Sequence, residues 1–110
     1  TNPTANAFAE GFKAWLKEDS ARLTDNSNSE EISAVTACGY DAYMAIYYAL
    51  EKAQSLDGAT LRDALAALDV PGLVTGDLKF DENGDAIKSY AIIKTATTEG
   101  FVFADSVAIE

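Results

Sequence analysis

The chain has 110 residues, one domain's worth or a slice of a larger one, and 48% of them are hydrophobic, enough to bury a core. Eighteen acidic against eight basic residues give a net charge of -10, a field that repels phosphate backbones and anionic membrane surfaces. No aromatic-plus-basic patch offsets that field, so nucleic acid is set aside as a partner.

The first predicted helix runs from Pro3 to about Glu18, with Asn2 as its cap and Phe8, Phe12, Trp15 and Leu16 as one apolar stripe. From Asp19 to Glu31 the sequence turns polar and reads as an irregular link. The second helix extends from Ile32 or Ser33 to about Ser55. Val35, Ala42, Ala49 and Leu56 recur along it at heptad spacing, with Gly39, Ile46 and Ala53 beside them and Tyr43 and Leu50 completing the band. Such a broad apolar band suits a helix contacted on several sides, more than an isolated two-layer module requires. A third helix follows Asp57-Gly58, with Thr60 and Asp63 as a capping-box-like pair and Leu61, Ala64, Leu65 and Leu68 facing inward. Val70-Pro71-Gly72 ends it. Beyond that point the period becomes extended, and Asp77–Phe80, Ile87–Thr95 and Phe101–Val107 read as three antiparallel strands joined by turns. The class is therefore α/β, three helices followed by about three short strands.

Candidate chemistry is sparse. The chain has no histidine and one cysteine, Cys38, which excludes serine–histidine and cysteine–histidine catalysis, the usual zinc sets and an intrachain disulfide. Cys38 sits in an apolar helical pattern and reads as a buried, inert thiol. There is no glycine-rich phosphate loop, and no carboxylate pair is placed where its pKa could approach neutrality. Neither catalysis nor a cofactor is expected. Asp81, Asn83 and Asp85 alternate like calcium ligands, but Ala86 and Ile92 stand where the turning glycine and closing glutamate belong, so the segment reads as a solvated turn without metal. Tyr40, Tyr43, Tyr47 and Tyr48 crowd the second helix and read as packing at the rim of the core. At the start of that helix Ser33, Val35, Thr36 and Ala37 combine small side chains, free N–H groups and the positive end of the helix dipole, an environment able to accept a carboxylate. No run approaches transmembrane length, and Thr1 is followed by neither a basic nor an apolar signal region, as in a mature or excised segment.

Three segments, in order, resemble the bacterial branched-chain amino-acid-binding receptors of ABC transporters. Phe8-Ala9-Glu10-Gly11-Phe12-Lys13-Ala14 resembles a late helix of that family. Ala34 to Ala42, ending in Gly39-Tyr40-Asp41-Ala42, resembles a second motif, and Val74-Thr75-Gly76 through Asp85 resembles its Gly-x-x-x-Phe-Asp-x-x-Gly-Asp stretch. The resemblance implies a fragment of a two-lobed type I periplasmic-binding-protein fold. Residues 1–31 would supply a helix and linker of one lobe, residues 32–86 the helices and a strand of the other, and residues 87–110 strands returning across the hinge.

It also implies Val35, Thr36 and Ala37 as ligand contacts, and leucine, isoleucine, valine or a similar amino acid as the captured solute. A membrane permease would be the partner, and the location periplasmic or extracellular, with a lipid anchor in the full-length protein. A fragment lacking complete lobes is expected to self-associate over its exposed apolar surface. The alternative class is a small acidic protein-interaction module presenting the broad second helix.

Overall fold

Asn2 and Pro3 open the first helix as their chemistry requires. Pro3 supplies a preset φ where no N–H is needed, and the Asn2 side-chain oxygen accepts from the N–H groups of Thr4 at 3.0 Å and Ala5 at 3.3 Å. The computed structural model describes residues 2–109. The described residues form four helices and then four strands, α1 to α4 and β1 to β4. Helix α1 (Pro3–Lys17) buries Leu16 and stacks Phe8, Phe12 and Trp15 along one side, with successive ring centroids 5.9 and 5.7 Å apart. Trp15 stays nearly half exposed, under the Arg22 guanidinium at 4.6 Å.

The polar link contains an additional short helix, α2 (Ser20–Asp25), started by Asp19, whose carboxylate accepts from the Ala21 N–H at 2.8 Å. Its six residues carry no apolar period, which is why composition alone reads them as a loop. Helix α3 (Ala34–Ala53) is the longest, and Asp41, Ala45 and Ala49 form its buried ridge at i, i+4 spacing. The small alanines allow α4 (Gly58–Ala66) to approach closely through Ala64. The cap of α4 is Asp57, not Thr60. Both the N–H and the hydroxyl of Thr60 donate to the Asp57 carboxylate, at 2.9 and 2.8 Å, while Asp63 pairs with the adjacent Arg62.

Strands β1 (Asp69–Leu73) and β2 (Gly76–Lys79) pair antiparallel and turn Leu73 and Leu78 onto the α3–α4 pair. With Leu68 they complete a small core of Ala45, Ala49, Ala64, Leu68, Leu73 and Leu78. Strand β1 is an addition to the sequence reading, which took Pro71-Gly72 only as a stop. In the fold these residues lie at a shift in register between Val70 and Leu73, where a proline without an N–H is tolerated and Gly72 takes φ +68°. The Asp77 carboxylate then accepts the Gly72 N–H at 2.8 Å and fixes the bulge.

The last pair, β3 (Tyr90–Thr97) and β4 (Gly100–Ala108), forms a separate antiparallel ribbon. Ile87, expected to begin this strand, belongs to the previous layer: its N–H donates to the Lys79 carbonyl at 2.8 Å, next to a Phe80–Ala86 bridge. Every ribbon residue except Ala91 is exposed, including Phe101 at 75% and Phe103 at 66%. The order of helices first and strands last stands as expected, with one helix and one strand added. Among the described residues no helix is long and apolar enough to cross a membrane.

Bonding at its cap gives Asp57 a defined pH signature. Hydrogen bonds donated by Thr60, first the backbone N–H and then the hydroxyl, hold the Asp57 carboxyl below the usual carboxylate range. A folded-state pKa below the unfolded one contributes stability above the unfolded pKa of about 3.9, and that contribution is lost as pH falls through the folded value. Asp57→Asn keeps a capping oxygen but cannot titrate. Thermal unfolding of both proteins should show the wild type more stable at neutral pH, with the gap closing below about pH 4. A gap that widens on acidification contradicts this assignment.

Candidate functional site

The start of α3 is built by Ser33. Its hydroxyl accepts the Thr36 N–H at 3.1 Å and lies 2.9 Å from the Thr36 hydroxyl, so one of the free N–H groups is already satisfied within the chain. The N–H groups of Ala34 and Val35 have no acceptor among the described residues and point out of the helix end. Val35 is 79% exposed, whereas Thr36 and Ala37 are half-buried. The three expected contact residues thus share one helix end, with an apolar side chain beside two open backbone donors.

Two turns further along α3 lies Asp41, a charged residue that is 4% exposed. One carboxylate oxygen accepts the Val74 N–H at 3.0 Å; the other accepts the Thr75 N–H at 2.7 Å and the Thr75 hydroxyl at 2.6 Å. The Thr75 hydroxyl in turn accepts from the Lys88 ammonium at 2.7 Å. A lysine on the segment after β2, a threonine in the β1–β2 turn and an aspartate on α3 are therefore joined through one hydroxyl. The joined residues are 34 apart between Asp41 and Thr75 and 13 apart between Thr75 and Lys88, so no local pattern brings them together.

Clefts flank this cluster. One of about 190 Å³ opens on Thr75, Gly76, Asp77, Lys88, Ser89 and Tyr90. Another of about 180 Å³ lies on its other side and includes Cys38, Ala42 and Phe80. Cys38, expected to be buried, is exposed at the rim of that cleft. It lies one turn before Asp41, where the layer covering the buried ridge of α3 has ended. A third, apolar groove runs along α1 past Phe8, Gly11, Phe12 and Trp15 to Tyr40, whose ring is 4.8 Å from that of Phe8.

Tyr40, Tyr43 and Tyr47 are all exposed, so of the crowded tyrosines Tyr48 is the one that packs on the core. At the Asp81 turn, one carboxylate oxygen accepts the N–H groups of Asn83 and Asp85, both at 2.9 Å. These bonds, with that from Asp85 foremost, hold the Asp81 carboxyl below its usual range. Its lone pairs serve the turn itself. No cluster of three or more histidine, cysteine or acidic groups suited to a metal occurs among the described residues.

A family model described as the receptor family ligand binding region matches residues 1–98. The chain belongs to that receptor family. Among solved structures it is similar to the leucine-binding protein LivK of Thermotoga maritima, at 27% sequence identity and a TM-score of 0.75. The match takes in 98% of this chain and 27% of that one, so the chain spans about a quarter of the neighbour's length. No curated protein gives a significant match. Family and neighbour bear out the resemblance carried by the three motifs: the chain is a fragment of the branched-chain amino-acid-binding receptor type, with its α/β fold. The family is defined by ligand binding rather than by a reaction.

Two of the three motifs meet at the Asp41 cluster. The aspartate of Gly39-Tyr40-Asp41-Ala42 accepts both N–H groups of the Val74-Thr75 pair that begins the later motif. The residues were visible in the sequence as parts of motifs; their bond was not. Replacing Asp41 by Asn exchanges one accepting oxygen for a donor that faces other donors. We expect a loss of about 1.5–3 kcal/mol in folding stability by chemical denaturation. A loss below about 0.5 kcal/mol would show that the turn does not depend on Asp41.

Proposed function

We propose that this receptor-family chain contributes to the capture of a branched-chain or related amino acid, without chemical transformation, as part of a solute-binding component of an ABC transporter. The observation that carries this reading is the likeness to a leucine-binding protein over 98% of the chain. In the proposed arrangement residues 1–31 belong to one lobe, 32–86 to the other and 87–110 return across the hinge. The exposure of the β3–β4 ribbon and the break in hydrogen bonding after Ile87 support that last division.

At the ligand, the open N–H groups at the start of α3 and the Thr36 hydroxyl receive the solute's carboxylate, and Val35 meets its aliphatic side chain. Ala37 keeps the approach unobstructed. Closure of a second lobe then excludes water from the charged ends, and the closed form docks on a membrane permease. Family membership supports a periplasmic or extracellular location; a lipid anchor on the full-length protein is part of the same proposal. The chain produced alone exposes the ribbon and the α1 groove and self-associates through them. Nothing in the fold favours the acidic interaction module over this reading.

Calorimetric titration of leucine, isoleucine and valine into the complete protein tests the reading. Saturable binding of at least one of them is expected, weakened tenfold or more, about 1.4 kcal/mol, by Val35→Asp through repulsion of the carboxylate. Absence of binding to all three overturns the choice of solute. Full affinity in Val35→Asp overturns the placement of the site.

A further inference from the structure

The β3–β4 ribbon is held to the rest of the chain in an unusual way. Its own ladder is continuous from Tyr90–Ala108 to Thr97–Gly100 apart from one register shift, and the Ile109 N–H closes back on the Ser89 carbonyl at 2.9 Å. The ribbon is therefore a self-contained lever. Its faces carry Tyr90, Ile92, Phe101 and Phe103 exposed, so no packed layer fixes its direction. Among the described residues, one hydrogen bond joins residues 88–109 to residues 2–86, the bond from the Lys88 ammonium to the Thr75 hydroxyl. Lys88 lies two residues before the ribbon begins, where a change in its side-chain contact acts on the direction of the whole lever.

The far side of that bond is anchored well. Thr75 gives its hydroxyl proton to the buried Asp41, and its N–H goes to the same carboxylate, so its oxygen is held with a lone pair toward Lys88. The ammonium and the carboxylate thus bracket one hydroxyl, and each strengthens the other's hydrogen bond. Lys88 is half-buried and sits in both clefts beside the cluster, and it makes no ion pair, whereas Lys17, Arg22, Arg62 and Lys79 each pair with a carboxylate.

We propose that Lys88 is a latch that sets the angle of the β3–β4 ribbon against α3, acting through Thr75 on Asp41. Its purpose rests on the capture reading above: if residues 87–110 return across a hinge, the latch ties the hinge to the helix whose first turn faces the solute. Movement of α3 is then transmitted to the crossing strands through one hydroxyl. The latch itself does not depend on which solute is bound, or on whether any is. Lys88 is a positioning residue in this scheme and touches no ligand.

The chain's sole cysteine, Cys38, is exposed on α3 and offers a native attachment point for a spin label. A second label at Thr98→Cys, in the turn at the far end of the ribbon, reports the ribbon angle as a distance distribution without added amino acid. The doubly labelled protein is expected to give one narrow distribution. Lys88→Met should broaden it at least about twofold, because a lever without its tie samples many directions. Thr75→Ser, which keeps the hydroxyl, should leave it narrow. Helical circular dichroism should be unchanged in both variants, which separates a freed ribbon from an unfolded chain. A distribution that stays narrow in Lys88→Met overturns the latch, and so does broadening in Thr75→Ser equal to that in Lys88→Met. Loss of amino-acid binding in the titration above, with the latch intact, would fall on the capture reading alone.

Discussion

The carboxylate of Asp41 is the constraint on which the rest of this fold depends. A charged group taken out of water is costly unless hydrogen bonds replace its hydration, and Asp41 recovers that cost from two backbone N–H groups and one hydroxyl of a single turn. The turn needs the carboxylate as much. Two-residue hairpin connections favour Asn-Gly or Gly-X because the twist of the strands calls for positive φ, yet here the pair is Val74-Thr75, and neither residue has positive φ. A local sequence with little turn preference is bent by a distant side chain. Once it is bent, Leu73 and Leu78 face α3 and α4, and the small core closes. The Asn2 amide adds a second tie to the same place, donating to the Leu73 carbonyl at 2.6 Å and drawing the start of α1 to the end of β1.

This dependence explains what the sequence discloses and what it hides. Helices α1, α3 and α4 were legible from their apolar periods and from Asn2-Pro3 and Asp57-Gly58, because cap and stripe are local properties. The ladder of β3 and β4 was legible from alternating β-branched and aromatic residues. Strand β1 was hidden because Pro71 and Gly72 are breakers in isolation, and become tolerable only at a bulge that Asp77 holds. The short α2 was hidden because its stability comes from the Asp19 cap and the Arg22 contacts with Trp15 and Glu18, not from any buried stripe. Cys38 misled because the apolar pattern of α3 is wider than the layer that covers it. At the candidate site, Val35, Thr36 and Ala37 were reachable from the chemistry of a helix end. The Asp41–Thr75–Lys88 relay was not, because no spacing rule links residues brought together by a tertiary turn.

The exposed apolar surface has the same origin as the family match. A chain that spans about a quarter of its structural neighbour carries faces shaped for more protein than is present in it. The broad band of α3, the aromatic groove of α1 and both faces of the β3–β4 ribbon are such surfaces, and they surround the one compact region rather than interrupting it. The α3–α4–β1–β2 unit has a core of its own. The ribbon does not, and takes its direction from the Lys88 tie. Rigid body and tied lever are the parts from which a hinged capture device is made.

The central claim, that a buried carboxylate on α3 shapes the β1–β2 turn, is tested most directly by amide hydrogen exchange at Val74 and Thr75. Both are turn residues, and in an ordinary exposed turn their N–H groups exchange as fast as those of the Asp81–Asp85 loop. If Asp41 accepts both, they exchange as slowly as the amides of Ala45 and Ala49 in the middle of α3, because both sets open only when the unit opens. Exchange at the rate of a free turn would contradict the account, and the turn would need another cause.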